Sequence, residues 1–452
     1  YRYDADQRPR WPRPDSPTPA LHNPAQAGAW LDAELQNLFA AAAHAATFGW
    51  PDHTLHMSAT LHRHLRTRAH HGYAIKLHRQ AVAAARATGD RIGELTGLNG
   101  IGDIHRLQGR YEPATEHFEQ ALRIARPAGH RPGELTALVG LGHVSMLQGR
   151  YEQATDSYRQ ALEIGRATGN GTGELDALLG LGTIHRMQGS YDQATDSYQR
   201  ALEIAWTTGN GIGELTALNG LGTVNRLRGR YEQATGDYRQ SLRLVREIGD
   251  RQGELSVLTG LAWIHRVQGR DEAIDMFGQA LAVAREIGDA ESELTALNGL
   301  GWTSQAQGRD GPATTYFRQC LTMARQIGDR NFEFEALQGL GRLHHAAGEH
   351  AAALAGHDQA LRIAEELAQA ADQARAHDGL AHTHHTLGHH DQALHHWHRA
   401  LAILTALDID QTEEPKVNTA AIRAHLSGGA RLTRTSRGAA SSRSPDRDGD
   451  PG

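Results

Sequence analysis

One passage recurs along most of this chain, and nothing else constrains its fold as strongly. From Asn210 to Asp250 the text is NGIGELTALNGLGTVNRLRGRYEQATGDYRQSLRLVREIGD. GELTGLNGIGDIHRLQGRYEPATEHFEQALRIAR starts at Gly93, and GELDALLGLGTIHRMQGSYDQATDSYQRALEIAW at Gly173. A repeat of about forty residues marks a chain of stacked units rather than one closed core, because a single unit cannot bury its own apolar face.

Each unit carries two apolar stripes at helical spacing. Leu215, Leu218, Leu221 and Gly222 form the first, and Tyr231, Ala234, Tyr238, Ser241 and Leu242 the second. Residues three and four apart share a helix face, whereas a half-buried strand would alternate. Asp90, Asn170, Asn210 and Asp250 precede the first stripe, where a side-chain oxygen can accept an unpaired helix N–H. Gly109, Gly149, Gly189, Gly229, Gly269, Gly308, Gly348 and Gly388 separate the stripes and supply a left-handed helix stop. Each unit therefore reads as a helix hairpin.

Gly220-Leu221-Gly222 and its copies lie inside the first helix. A glycine there costs roughly 1 kcal/mol relative to alanine. The expected return is close packing: the missing side chains admit the Tyr or Phe of the second helix. Ala114, Ala154, Ala194 and Ala234, with Ala121, Ala161 and Ala201, are small for the same reason. A phosphate-binding glycine loop should follow a strand, and none is expected here.

These positions resemble the tetratricopeptide repeat in its longer, roughly forty-residue variety. By position, Leu221, Gly222, Gly229, Tyr231, Ala234, Tyr238 and Ser241 match the packing residues of that family. Ala262 and Ala381 depart from it at the second glycine, His357 at the aromatic and Cys320 at a small alanine. The resemblance implies an all-α, right-handed superhelical solenoid of stacked antiparallel hairpins. For function it implies binding of a protein partner.

In chain order, residues 1–26 are rich in Pro, Arg and Asp and read as a disordered linker. Residues 27–89 read as a capping helix, extending from Gln26 to Thr47, and a degenerate first repeat. The array of eight units follows over 90–408; the fifth is one residue short near Asp271, and the last is rich in His. Residues 409–452 turn to Ser, Arg, Gly, Asp and Pro and are expected to be disordered apart from a short helix at Thr419–Leu426. The Ala29–Leu38 run resembles a segment of actinobacterial AfsR-like, signal-transduction NTPase (NB-ARC-type) transcriptional regulators, where it leads into the repeats. That resemblance implies the C-terminal sensor arm of a larger protein, partnered by an upstream nucleotide-binding module. The opening Tyr1 fits the same expectation of a longer chain. A free-standing adaptor is the alternative.

In this family the concave face is lined by first-helix residues off the apolar stripe. One row contains Thr96, Thr136, Asp176, Thr216, Ser256, Thr295, Glu335 and Arg375. Neighbouring rows supply the candidate partner-binding groove: Asn99, Asn219 and Asn298; Asp103, His143, Trp263, Trp302 and Arg342; Arg106, Arg186, Arg226 and Arg266. The asparagines suit paired hydrogen bonds to a peptide backbone, and the arginines suit carboxylates. Trp263 and Trp302 suit an aromatic anchor between the fourth and sixth of the clear units.

Other chemistry finds little support. His105, His185, His265, His344 and His384 recur at one edge-of-core position. The histidines from His382 to His398 straddle a glycine turn without a fixed tetrahedral set, so no metal is expected. No P-loop, GxSxG elbow or catalytic Cys/His spacing is present, so neither an enzyme nor a cofactor is expected. Carboxylates are read as charges on wet helix faces. Net charge is −6, and Asp446, Asp448 and Asp450 dilute the arginines of the tail, which argues against nucleic acid. No run of about eighteen apolar residues suggests a membrane span. The single cysteine fits a reducing, cytoplasmic setting.

Overall fold

The structure is a computed structural model that describes residues 19, 21, 24–412 and 416–427. The linker expected over 1–26 and the tail beyond 427 fall largely outside these residues. The chain divides into two compact units, Tyr1–Gly249 and Asp250–Gly452.

Unit one begins with α1 (Pro24–Ala33) and α2 (Leu35–Thr47). The single helix expected there is interrupted at Glu34, which has φ −88° and ψ 0°. Beyond that turn Leu35, Phe39 and Ala42 pack with Leu61 and Leu65. Five hairpins follow: α3 (Pro51–Thr67) with α4 (His71–Thr88), α5 (Arg91–Leu107) with α6 (Tyr111–Ala128), α7 (Arg131–Leu147) with α8 (Tyr151–Thr168), α9 (Gly171–Met187) with α10 (Tyr191–Thr208), and α11 (Gly211–Leu227) with α12 (Tyr231–Ile248). Unit two holds four: α13 (Arg251–Val267) with α14 (Glu272–Ile287), α15 (Ala290–Ala306) with α16 (Asp310–Ile327), α17 (Arg330–Ala346) with α18 (His350–Glu366), and α19 (Ala370–Thr386) with α20 (His390–Ala406). The one-residue deletion falls in α14, which has 16 residues. Among the described residues no helix is long and apolar enough to cross a membrane.

Local signals fix the helix ends. The Asp90 carboxylate accepts from Gly93 N at 2.9 Å, and Asn170, Asn210 and Asp250 accept from Gly173, Gly213 and Gly253 N at 3.0 Å. His130 caps α7 through Nδ1, 3.1 Å from Gly133 N. The glycines that end the first helices have φ between 67° and 76°, the left-handed conformation expected of them.

The helix-interior glycines do what their spacing implies, and on both sides of each ring. A Cβ on Gly142 would lie 2.7 Å from the Tyr158 ring, and one on Gly180, in the next hairpin, 2.3 Å from its Cζ. Phe118 is held in this way between Gly102 and Gly140, Tyr198 between Gly182 and Gly220, and Phe317 between Gly301 and Gly339. His78 and His357 fill the same slot: Gly100 faces His78, and Gly341 and Gly379 enclose His357. His357 is buried, with Nδ1 2.8 Å from Gln338 Oε1, and His78 meets the Ser58 hydroxyl at 2.6 Å.

A second contact joins successive hairpins. Arg126 Nε lies 3.2 Å from Glu134, Arg166 Nε 2.9 Å from Glu174, and Arg325 Nε 2.8 Å from Glu333. Arg131 and Arg330 donate to the other oxygen of Glu134 and Glu333. This corrects the expectation of wet carboxylates: Glu94, Glu134, Glu254 and Glu333 are buried at the seam and paired. Such pairs join residues eight apart across a turn.

The short helix expected at Thr419–Leu426 forms, and the described residues just before it, expected to be disordered, are ordered as well. Asn418 Oδ1 accepts from Ala421 N at 2.7 Å and starts a helix, α21, over residues 419–427. Val417 and Ile422 bury themselves beside Trp397 and Leu404. Two apolar side chains suffice because the last hairpin already offers the surface.

Opposite effects are expected from two glycine substitutions. Gly180→Ala should destabilise unit one by about 1–3 kcal/mol, because the ring it strikes is pinned from the other side. Gly236→Ala, mid-helix with open space around it, should stabilise by about 1 kcal/mol. Urea melts followed by circular dichroism compare the two.

Acid should loosen the array through its buried imidazoles. Burial lowers His78 and His357 from 6.5 to about 3, so each stays neutral when folded but binds a proton when unfolded. Stability is full above pH 6.5 and falls below it by up to about 1.4 kcal/mol per pH unit per histidine. The double change Gln338→Leu/His357→Tyr, which writes the Leu179/Tyr198 pair into unit two, should flatten that slope in melts between pH 7 and 4.

Candidate functional site

The stacking decides which face can receive a partner. Within each unit the first helices of successive hairpins touch one another, α5 to α7 to α9 to α11 and α13 to α15 to α17 to α19. Among the described residues the second helices make no comparable contact, so the first helices line the inner side of the stack. Residues off their apolar stripe line up there, one per hairpin.

In unit one, Thr96, Thr136, Asp176 and Thr216 are exposed in a single row. The threonine hydroxyls donate back to Ile92 O, Pro132 O and Ile212 O at 2.8, 3.0 and 2.9 Å. In the next row Asn99 is not a free clamp. It is buried, and its amide donates to Gly133 O in the following hairpin at 3.2 Å. Asn219 and Val139, at the same position, show that this row varies between polar and apolar contact.

Arg106 is also committed within the chain. Its Nε and Nη2 donate to Asp103 Oδ1 at 3.2 and 2.6 Å, so it is not open to an external carboxylate in the way expected. The second oxygen of Asp103 lies 3.4 Å from His62 Nε2 and 3.7 Å from Arg66 Nη1. Burial opposes the Asp103 charge, but His62, Arg106 and Arg66 together hold its carboxyl well below the usual range. His143 stands edge-on to Tyr158 at 5.5 Å; burial, aided by Arg106, lowers it to about 4 and keeps it neutral. Arg186 and Arg226 are half-buried on the same face.

Unit two differs most from expectation at Trp302. It is 7% exposed, packs edge-on to Phe317 at 5.1 Å and donates from Nε1 to Glu335 at 3.2 Å. Glu335 in turn takes a bidentate pair from Arg375 at 2.6 and 2.9 Å. Trp302 is therefore a wall of the groove rather than an open anchor, and Arg342 lies over its ring at 6.0 Å. Trp263, Arg266 and Asn298 are half-buried, and Arg342 is exposed.

Three inner-face residues outside the expected set carry much of the charge. Arg375 is buried in its pair with Glu335, whereas Asp176 is exposed and carries no such pair. The row position was legible for all three, but depth and pairing depend on neighbours 40 residues away. At the last hairpin His425 of α21 stacks on Trp397 at 4.5 Å, with His382 edge-on to both. Among the described residues no three His, Cys, Asp or Glu side chains converge as a metal-ligand set.

Comparison with known proteins agrees with this geometry. No curated protein matches the sequence. A signal transduction ATPase with numerous domains (STAND) protein with a tetratricopeptide repeat sensor, from Pyrococcus horikoshii, superposes with a TM-score of 0.57 at 13% identity. The match covers 74% of this chain and 53% of that one, so the chain spans about half its length. The apo form of the quorum sensor NprR from B. thuringiensis superposes with a TM-score of 0.51 at 12% identity, over 75% of this chain and 99% of that one. At these identities the likeness is one of fold. The tetratricopeptide repeat pattern itself matches residues 70–126, 133–205, 213–270 and 264–326. With more than half of its 452 residues matched, the chain belongs to the tetratricopeptide repeat family.

Proposed function

We propose that this chain is a protein-interaction and sensor module that binds a peptide or protein segment on an inner face. In this reading it is the C-terminal arm of a larger, nucleotide-switched transcriptional regulator of the AfsR-like kind. The observation that carries the first part is the alignment of first helices, which sets one variable side chain per hairpin along the inner face of each unit. An extended segment meets such a face one hairpin at a time. In unit two Arg342 is exposed and Trp263 and Arg266 are half-buried, and Trp302 with Glu335 and Arg375 forms a fixed wall.

The regulator reading draws support from two sources. The Ala29–Leu38 segment stands immediately before the repeats, and the fold is shared with a STAND protein that has a tetratricopeptide repeat sensor. A bound segment would then act by differential affinity. Only a ligand that prefers one nucleotide state shifts the balance between states, by about 1.4 kcal/mol for a tenfold preference.

The first test is the mass of the native protein, detected with an antibody raised against this chain. A mass far above 49.2 kDa, with a strand-preceded P-loop upstream, is the expected result. A mass near that value would make the protein a free-standing adaptor.

The two tryptophans should separate in mutagenesis. Against a hexapeptide selected on the wild-type chain from a random array, Trp263→Ala should weaken capture by about tenfold or more with little change in melting. Trp302→Ala should instead lower stability by about 3 kcal/mol, since it empties a buried, bonded site. Unchanged capture by Trp263→Ala would remove the unit-two groove from the binding site.

A further inference from the structure

Two departures from the repeat meet at one place on the inner face of unit one. The first is at the row of threonines. Thr96, Thr136 and Thr216 each turn the hydroxyl back onto their own helix. Asp176 takes the same position in α9, and an ionised carboxylate only accepts, so it cannot make that bond. Its side chain stays open to solvent.

The second departure is at the tyrosine hydroxyls. Thr183 and Thr223 reach the hydroxyls of Tyr198 and Tyr238 at 3.1 and 2.9 Å. In the hairpin of α7 and α8 the matching residue is His143, and the Tyr158 hydroxyl is buried with no hydrogen-bond partner. Tyr158 is 0% exposed, and its Cζ lies against Gly180, one helical turn beyond Asp176 on α9. A buried polar atom left alone costs about 1–3 kcal/mol.

The nearby arginines do not serve this carboxylate. Arg106 is bonded to Asp103 at 2.6 Å, and Arg66 lies 3.7 Å from the other oxygen of Asp103. The cluster thus has two guanidiniums, one carboxylate they share, and a second carboxylate that Arg66 reaches only at longer range.

We infer that Asp176, with the Tyr158 hydroxyl beneath it, is a subsite for a cationic group: a Lys or Arg side chain of the bound peptide. This rests on the reading of the inner face as a peptide groove. The ammonium or guanidinium donates to the Asp176 carboxylate, and the buried Tyr158 hydroxyl marks the same place as the one among Tyr158, Tyr198 and Tyr238 that lacks a threonine partner. Arg66 from α3 acts on Asp176, and Asp176 on Tyr158 from α8; Asp103 and Arg106 from α5 and His143 from α7 join the cluster through Arg66 and Tyr158. Although part of its side chain meets solvent, desolvation by the residues packed around the inner face raises the Asp176 carboxyl to about 6, with Arg66 opposing; Asp103 stays ionised, and burial keeps His143 and Tyr158 neutral. Asp176 is therefore the member whose charge changes near pH 6.

The test uses the full chain and an array of hexapeptides whose third residue is fixed as Arg, Lys, norleucine or Glu, with the other positions randomised. Wild type should capture the Arg and Lys sets about tenfold better than norleucine at pH 7.5, and lose that preference as the pH falls through about 6. Asp176→Asn should capture all four sets alike, and Asp176→Thr, which writes the residue of the adjacent hairpins, should do the same with an unaltered melt. Capture without preference for Arg or Lys in the wild type would overturn the subsite and leave the groove reading standing. A preference that survives in Asp176→Thr would also overturn it. Capture of no set at all would overturn the groove reading, and the subsite with it.

Discussion

Within each unit, most hairpins are tied to the next by one aromatic ring held between two glycines. Tyr158 lies against Gly142 of its own hairpin and Gly180 of the following one, at distances that leave no room for a methyl group at either. This contact explains why a helix tolerates glycines that each cost roughly 1 kcal/mol. They let the ring pack on helix backbone from both sides, so the same residue closes its own hairpin and docks the neighbour. Stability in such an array is a sum of internal and nearest-neighbour contributions, and this ring belongs to both. The contact is also what lines up the first helices, and so what creates an inner face at all.

The slot requires a flat ring more than it requires a benzene ring. His78 and His357 occupy it with lowered basicity, and each has a polar companion, Ser58 or Gln338, that meets the imidazole nitrogen. Trp397 occupies it in the last hairpin, where His425 stacks on its face. The seam beside the slot is polar and regular: an arginine near the end of one hairpin meets a glutamate in the first turn of the next. That glutamate sits at a helix N-terminus, where negative charge is favoured, which offsets part of the cost of burying it.

How much of this was legible depends on the range of the interaction. Helix starts, glycine stops and the close packing at Gly142 are set within a unit, so spacing alone revealed them. Depth is set between units. Trp263 and Trp302 hold one position in the repeat, yet Trp302 is buried because Glu335, 33 residues on, takes its Nε1–H. Asn99 resembles Asn219 and Asn298 in sequence, but Gly133 of the next hairpin accepts its amide. The short helix at 419–427 was legible, but its anchoring was not, since composition does not show that Val417 and Ile422 would meet a finished apolar surface. The candidate groove was thus legible as a set of rows, and not as a set of available side chains.

Departures from a repeat can be sorted by whether the chain supplies a partner for the new group. His357 brings Gln338 with it, His78 brings Ser58, and Arg375 comes with Glu335. These substitutions are closed within the fold and need no ligand to explain them. Asp176 and Tyr158 are different. The threonine that would turn inward has become a carboxylate, the threonine that would reach the phenol has become His143, and no side chain nearby completes either group. A stack built on identical contacts has an obvious residue for both positions, since the neighbouring hairpins use it. Threonine would satisfy the helix at one position and the tyrosine at the other. Where unit one uses that solution at Thr96, Thr136 and Thr216, and again at Thr183 and Thr223, and its departures at Asp176 and His143 fall together, the missing partner is best sought outside the chain.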